Sequence, residues 1–223
     1  MSTEPNIVDG HGAATPPGSE LADLVDALRR VTDLVVRPGA PPDRLREAAS
    51  AVEAAAATLR PYTEPWRASV PAHPDTTIQP HEFFPFSPMI GLYSPLAPPL
   101  RCEIHDGTVT GRAALGAAYE GPPGCVHGGI IAGLFDEILG VANIAAGVGA
   151  MTGTLTVVYR SPTPLYTELT LEAHTVNIDG RKVRTVGTLS ADDRLCAEAD
   201  GIFILVEHER FATHTRAHGG GAP

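Results

Sequence analysis

The chain has 223 residues, a length that suits one domain of ordinary size with appended segments. It carries 16 basic and 26 acidic side chains and a formal charge of −10, which argues against general binding to nucleic acid or to anionic membranes. The three cysteines lack metal-ligand spacing, no signal-like segment opens the chain, and no apolar run approaches the roughly 20 residues of a membrane span. We therefore expect a cytoplasmic protein without a membrane-spanning helix.

Composition and periodicity divide the chain into five segments. Both ends are polar, aperiodic and rich in Gly and Pro, which is typical of disorder. Two stretches have apolar residues at helical spacing, the first with Ser19 as its N-cap, and prolines end both. A proline-rich stretch then contains aromatic residues too apolar to stay in solvent. We predict a disordered tail over 1–18, a helical hairpin over 19–60, an extended arm over 61–99, the main domain over 100–206 and a second disordered tail over 207–223.

The main domain shows strands, then one helix, then more strands. Apolar and polar residues alternate on either side of the tight-turn dipeptide Asp106-Gly107, which predicts a hairpin. The apolar stretch from Ile130 to about Ala146 is too long for a strand and predicts a helix. This order indicates an α+β domain in which one helix packs on an antiparallel sheet. The last four strands are predicted as an antiparallel meander over about 152–161, 167–178, 181–190 and 194–206.

Asp136 is the only carboxylate on the narrow, small-residue face of this predicted helix. Bulky apolar residues cover the remaining faces and need burial. A carboxylate in an apolar helix is costly to bury, so Asp136 is either satisfied by groups of a neighbouring strand or activates water in a partly desolvated site. Glu137 is a competing candidate, but it lies about 100° around the helix, nearer the large residues. The small residues on the face of Asp136 are Gly129, Ala132, Gly133, Gly140 and Asn143.

The turn before this helix offers groups that suit a developing oxyanion. Gly128 and Gly129 occupy the first helical turn, where backbone N–H groups lack intrahelical partners and the helix dipole favours negative charge. His127 can orient or polarise the same oxygen. A His-Gly-Gly turn also occurs as a purely structural cap, so the tripeptide alone is weak evidence of a site.

The spacing of these two features predicts a two-fold assembly. Gly128 and Asp136 are eight residues apart, which along a helix rising about 1.5 Å per residue separates them by about 12 Å. That distance is too long for both to act on one reacting carbon from the same chain. If the helices of two protomers run antiparallel, Asp136 of one protomer reaches the glycine turn of the other, and two active sites lie across the interface.

Three motifs in the main domain carry a resemblance to a known family. They are G-C-V-H-G-G-I-I-A-G-L-F-D-E from Gly124, M-T-G-T-L-T-V-V-Y-R-S-P-T-P-L from Met151 and I-D-G-R-K-V from Ile178. In this order they resemble the phenylacetate-pathway type of hotdog thioesterases, most closely the acyl-CoA thioesterases of the carboxyl-terminal modulator protein group. The resemblance covers about Leu100 to Val206. It implies a hotdog fold, with an antiparallel sheet wrapped around one central helix, in a hydrolase that cleaves acyl-CoA to a carboxylic acid and CoA.

The resemblance also implies roles for individual residues. It implies that Asp136 is the catalytic carboxylate, acting as general base on water or as nucleophile. Thr152 matches a hydroxyl position that places the water or assists Asp136, and His127 and Gly128 match the carbonyl-binding turn. Glu137 has no catalytic counterpart. No metal or cofactor is implied, since the CoA moiety is part of the substrate, and we expect a homodimer or a dimer of dimers.

Further positions are implied in CoA binding. The resemblance matches Val158 and Arg160 on the strand after the helix, together with Arg181 and Lys182. Basic residues are also dense in this region, and such a patch suits the phosphates of CoA, which arginine can grip in bidentate fashion. Five of the sixteen basic residues lie within 35 positions, namely Arg160, Arg181, Lys182, Arg184 and Arg194. The last two fit equally well in a solvated charged hairpin.

Two other functions and two uses of the arm stay open. A hotdog hydratase or dehydratase would use His127 as a base for protons of the acyl chain. A non-catalytic regulator would keep the fold and bind acyl-CoA without hydrolysing it. Retention of both Asp136 and Thr152 favours the hydrolase. The arm either covers apolar surface of the main domain or lines a tunnel for the acyl chain.

Overall fold

Three α-helices and six β-strands make up the described part of the chain. The computed structural model describes residues 19–62 and 84–206, so both predicted tails and residues 63–83 of the arm lie outside it. The helices are α1 (Ser19–Val35), α2 (Pro42–Leu59) and α3 (Gly128–Ala145). The strands are β1 (Arg101–His105), β2 (Thr108–Ala114), β3 (Ala150–Tyr159), β4 (Glu168–Asp179), β5 (Lys182–Ala191) and β6 (Arg194–Leu205). Every predicted helix and strand is present.

The two N-terminal helices are exposed to different degrees. α1 buries Val25, whereas no residue of α2 is buried and its apolar face stays nearly half exposed. Ser19 is the first helical residue of α1 and not its N-cap. α2 starts at Pro42, which suits a first helical position because the N–H there has no intrahelical partner. The packing of the two helices as a hairpin stays a prediction.

The six strands form one antiparallel sheet in the order β1-β2-β4-β5-β6-β3. The hairpin of β1 and β2 is confirmed, and Asp106 and Gly107 adopt the positive φ angles, 47° and 77°, of a two-residue turn. The four-strand meander is wrong in one respect, because β3 pairs with β6 at the edge of the sheet. The link over residues 160–167 contains two prolines and exceeds the roughly two to five residues of a tight hairpin, so β3 and β4 do not pair.

Helix α3 is the centre of the hydrophobic core, and the sheet wraps around it. By length and composition α3 could cross a membrane, but here it serves as the core helix of the sheet. Its predicted bulky face is confirmed as the buried one. Asn143 of the small-residue face is also buried. Hydrogen bonds offset the cost of burying its side chain, since Oδ1 accepts from Thr185 Oγ1 at 2.5 Å and from Thr175 Oγ1 at 3.2 Å. A long helix wrapped by an antiparallel sheet is the hotdog fold.

Residues 84–99 of the arm, which we call the arm segment, pack as a series of tight turns, which corrects the prediction of an extended segment. Gly91 N–H donates to the Ser87 carbonyl at 3.0 Å, and a Cβ atom at Gly91 would lie 2.5 Å from the Ser87 nitrogen. These turns satisfy backbone groups locally, where prolines prevent a regular strand ladder. Arg29 of α1 holds this arm segment by donating to the carbonyls of Gly91 and Ser94 at 3.1 and 2.9 Å.

Candidate active site

Asp136 and Thr152 form one unit at the open edge of the sheet. Asp136 lies in the middle of α3 and is exposed in the isolated chain, and Thr152 lies on the edge strand β3. The Thr152 hydroxyl donates a hydrogen bond to Asp136 Oδ1 at 2.7 Å. β3 shifts register next to Thr152, and bulges of this kind re-aim side chains beside functional sites. The structure thus brings together the two residues that the sequence assigns to water activation.

This hydrogen bond leaves both side chains able to hold a water molecule. The hydroxyl gives its one proton to the carboxylate, so Thr152 Oγ1 keeps lone pairs and Asp136 keeps a second oxygen for further hydrogen bonds. The alternative interpretation was an Asp136 satisfied by hydroxyls or backbone groups of a neighbouring strand, and the Thr152 hydrogen bond is also what that alternative predicts. The exposed Asp136 does not depend on this partner, however, because water can also bind a solvated carboxylate.

His127 caps the start of α3, and this changes the role predicted for Gly129. His127 is the N-cap residue, and its Nδ1 accepts a hydrogen bond from Gly129 N–H at 2.9 Å. The Gly129 amide is therefore already occupied and is not free for a substrate carbonyl. Because Nδ1 accepts, the neutral imidazole carries its proton on Nε2, and this N–H can donate to an oxygen. The capping alternative that the sequence left open is thus confirmed for His127, although the sequence did not show that its ring engages the Gly129 amide.

Gly128 keeps a free amide at the same turn. Among the described residues its N–H makes no hydrogen bond, while its carbonyl accepts a hydrogen bond from Tyr159 Oη at 2.8 Å. A Cβ atom at Gly128 would lie 3.3 Å from Tyr159 Oη, which is tight. The free donors of the turn are thus Gly128 N–H and His127 Nε2–H, a pair that suits a developing oxyanion.

The predicted site residues divide between two ends of the open edge. Hydrogen bonds place Gly128 beside Tyr159 at one end and Asp136 beside Thr152 at the other. Gly128 and Asp136 are about 12 Å apart along the axis of α3. Tyr159 and Thr152 are about 23 Å apart along β3, because a strand rises about 3.3 Å per residue. One chain therefore does not combine the turn and the carboxylate at a single reacting carbon, as the sequence predicts.

The four residues matched to CoA binding divide in the same way. Val158, 40% exposed, and Arg160 lie at the Gly128 end of β3. Lys182 lies at the Asp136 end, because it pairs with Ile204, which in turn pairs with Met151; Arg181 precedes it in the β4–β5 turn. We call the first set, with His127 and Gly128, the turn end, and the second set, with Asp136 and Thr152, the carboxylate end.

The basic residues differ in how far they are engaged within the chain. Arg160 Nε donates to Glu198 Oε2 at 2.5 Å, and Arg184 donates to both carboxylate oxygens of Asp200. Arg194 donates to Ser161 Oγ at 2.5 Å and to the Pro162 carbonyl. The Asp200 carboxylate raises the pKa of Arg184, and Arg184 lowers the pKa of Asp200. Within the described ranges no side-chain hydrogen bond engages Arg181 or Lys182, which leaves these two best suited to a phosphate.

Glu137 lies beside Asp136 in sequence but on another side of α3. Ser87 of the arm segment donates to Glu137 Oε1 at 2.5 Å, and the carboxylate is partly buried. Burial raises the pKa of Glu137, the Ser87 hydrogen bond lowers it, and the nearby Asp136 raises it. The sequence left Glu137 without a role, and the structure places it where the arm segment meets α3.

Two of the three cysteines are buried in the core. Cys102 and Cys196 are buried, and burial, with the nearby Glu137, raises the pKa of Cys102 to about 12. A thiol with that pKa is protonated at neutral pH and is a poor nucleophile. Over residues 19–62 and 84–206, no three His, Cys, Asp or Glu side chains gather as metal ligands.

The similarity of this chain to known proteins includes a match to one family and to two curated acyl-coenzyme A thioesterases. The family described as thioesterase superfamily matches residues 123–198. Acyl-coenzyme A thioesterase THEM4 of Xenopus laevis is 38% identical over 91 residues, which are 40% of this chain and 41% of that protein. The Mus musculus protein of the same name is 36% identical over 97 residues, or 43% and 42%. The match thus spans about two fifths of the length of these curated relatives.

A solved structure extends the similarity beyond the main domain. A crystal structure of a thioesterase superfamily protein is 34% identical and has a TM-score of 0.74. The match covers 85% of this chain and 97% of the solved chain. It therefore includes part of the N-terminal region as well as the central helix and its sheet.

Proposed function

The chain belongs to the thioesterase superfamily, and we propose that it hydrolyses the thioester of acyl-CoA to a carboxylic acid and CoA at two sites of a homodimer. The observation that carries this proposal is the 2.7 Å hydrogen bond from Thr152 to an exposed Asp136 at the open edge of the sheet. The curated relatives are named as acyl-coenzyme A thioesterases, which supports the substrate class.

The separation of the two ends supports a dimer. Within residues 19–62 and 84–206, β3 pairs with β6 alone and none of its own residues is buried, so its outer edge can accept another strand. Antiparallel pairing of two β3 strands about their middle would place the turn end of one protomer beside the carboxylate end of its partner. Each of the two resulting sites would then hold both halves of the chemistry. A dimer of dimers is compatible with the same pairing.

The chemical step uses one group from each end. Asp136, oriented by Thr152, takes a proton from water as the water oxygen bonds to the thioester carbon. The carbonyl oxygen becomes negative and is held by Gly128 N–H and His127 Nε2–H of the partner subunit. When the tetrahedral intermediate collapses, the carbon–sulfur bond breaks, and the proton held by Asp136 neutralises the departing CoA thiolate. The reaction requires no group beyond these side chains, the backbone amide and water.

The CoA moiety would be bound by both protomers. Arg181 and Lys182 lie at the carboxylate end without side-chain partners in the described residues, so they can bind the CoA phosphates at no cost in broken ion pairs. Val158 of the partner subunit offers exposed apolar surface to the pantetheine chain. Arg160 of the partner subunit contributes less, because it is already paired with a carboxylate of its own chain. We place the reaction in the cytoplasm.

The hydratase alternative fits this geometry poorly. It needs His127 to accept a proton, but His127 Nδ1 is engaged by the Gly129 amide and the neutral ring carries its proton on Nε2. A histidine in that state is a donor and suits carbonyl polarisation. The geometry therefore favours the hydrolase over the hydratase.

A thiol-release assay tests the proposal. The full chain is incubated with short, medium and long saturated acyl-CoAs, an aryl-CoA and an α,β-unsaturated acyl-CoA, and free CoA thiol is measured. We expect thiol release from at least one saturated or aryl substrate. Loss of enoyl absorbance without thiol release would instead identify a hydratase. Tight binding of acyl-CoA with no release across the whole series would identify a non-catalytic binding protein.

A further inference from the structure

The arm segment reaches α3 beside the proposed catalytic carboxylate. Gly133 lies one turn before Asp136, about 4.5 Å along the helix axis. The thioether of Met89 rests on Gly133, where an added Cβ atom would lie 2.6 Å from Met89 Sδ and 3.1 Å from its terminal methyl carbon. Glycine at this position therefore lets the Met89 side chain approach the helix backbone.

Met89 is held in this position from both sides. Ser87 Oγ donates to Glu137 of α3 and accepts a hydrogen bond from Met89 N–H at 3.1 Å. Ile90, the next residue, is buried in the core. The hydrogen bond to Ser87 and the burial of Ile90 hold the backbone of Met89. Its unbranched side chain is still flexible and can adapt to a group that packs against it.

The helix geometry places Met89 on one side of Asp136 and β3 on the other. At about 100° per residue, Gly133 lies about 60° from Asp136 and about 40° from Glu137 around the helix axis. Asp136 turns towards Thr152 on β3, whereas Glu137 turns towards the arm segment. The residues matched to CoA lie along the strand side, so the apolar side of the site is the one formed by Met89.

We infer that Met89 forms the wall of the acyl pocket and limits the length of acyl chain that the site accepts. The inference rests on the proposed function, since it requires a thioester carbon at Asp136 with CoA on the strand side. An unbranched thioether on a glycine fills a space that an acyl chain could otherwise occupy, and its removal would open that space along the small-residue face of α3.

Two variants that change the volume in opposite directions test this inference. Met89→Ala removes three heavy atoms, and the ratio of kcat/KM for long over short acyl-CoAs should rise at least about tenfold, because each buried methylene contributes about fourfold. Met89→Trp should shift the ratio the other way, with short acyl-CoAs still hydrolysed. Leu96→Ala is the matched control, since Leu96 lies on the same arm segment and is 73% exposed; its chain-length profile should equal that of the wild type.

The outcomes separate this inference from the proposed function. Opposite shifts in the preferred chain length support the wall, because loss of folding would lower all rates together. An unchanged profile in both variants of an active enzyme, or a uniform loss at all chain lengths, would show that Met89 only holds the arm segment and would overturn the inference. A wild-type chain that releases thiol from no acyl-CoA would overturn the proposed function, and the inference with it.

Discussion

The two sides of helix α3 carry adjacent carboxylates in opposite situations. On the strand side, Asp136 is exposed and accepts one hydrogen bond, from Thr152 of the edge strand. On the arm side, Glu137 is partly buried, accepts a hydrogen bond from Ser87 and lies against a segment that covers the helix. Two acids one residue apart thus face an open edge and a closed contact.

This difference indicates which side of α3 is open to the chemical step and which side is closed by contacts within the chain. The arm side is complete within one chain, because Ser87 satisfies the carboxylate there and Met89 fills the space over Gly133. The strand side is incomplete in the described part of the chain, where the edge of β3 has no partner strand, Asp136 is exposed, and the Arg181 and Lys182 side chains make no hydrogen bond. A surface in that state suits a partner subunit and a substrate, so we expect changes on the strand side to alter the chemical step. Changes at the Ser87–Glu137 contact should alter stability, whereas changes at Met89 should alter the preferred chain length.

The largest expected effect comes from exchanging each acid for its amide. Asp136→Asn removes the proton acceptor, and kcat for thiol release should fall by about 10² to 10⁴, while the thermal midpoint changes little. Glu137→Gln is the matched change next door; it preserves an acceptor for Ser87, and kcat should stay within about threefold of the wild type. Equal losses in the two variants would abolish the distinction between the two sides.

The next effect concerns the free amide at the start of α3. Gly128→Pro removes the N–H and adds a ring whose Cβ crowds Tyr159. The helix should tolerate it, because proline is favoured at the first helical position and the ψ of 132° at His127 suits a residue before proline. We expect kcat to fall by about 10² to 10³ relative to Gly128→Ala. That control adds the same crowding near Tyr159 but keeps the N–H. Equal activity in the two variants would contradict the role of Gly128 N–H as a donor to the oxyanion.

The smallest effect is a pH dependence of stability on the arm side. Burial raises the pKa of Glu137 above its ordinary value of 4.5, so the stability that the protonated group contributes is full below that value and is lost as the pH rises through the raised pKa. Glu137→Gln does not titrate. The thermal midpoint of the wild type should therefore decline relative to that of the variant from about pH 4.5 upwards, as measured in parallel melts. Parallel curves would contradict a buried, titrating Glu137.

Much of the fold follows from local patterns in the sequence. The alternation of apolar and polar residues predicted the strands, because a strand has a period of two residues. The long apolar stretch from Ile130 predicted the central helix, because it exceeds the length of a strand. The position of β3 did not follow, since strand pairing depends on the link to β4 and on contacts distant in sequence. The turns of the arm segment were missed for a similar reason: its prolines restrict the backbone and Gly91 permits a close approach of Ser87, but neither specifies which turns form.

The sequence singled out the members of the candidate site but not their contacts. Asp136 drew notice because a lone carboxylate in an apolar helix is costly to bury without partners, and its catalytic role stays a prediction that the resemblance implies. The hydrogen bond from Gly129 to the ring of His127 was not predicted, because only a folded turn shows which amide the ring occupies. Glu137 received no role for the same reason, since its partner, Ser87, lies 50 residues away in sequence.

The central claim is that each site combines the carboxylate end of one protomer with the turn end of its partner. Chains carrying Asp136→Asn and Gly128→Pro, with different affinity tags, are assembled together, and the mixed dimer is purified on both tags. The mixed dimer has one site with both intact ends, so it should recover about half of the wild-type thiol-release rate per dimer, while each parent stays inactive. A purified mixed dimer no more active than its parents would contradict the account.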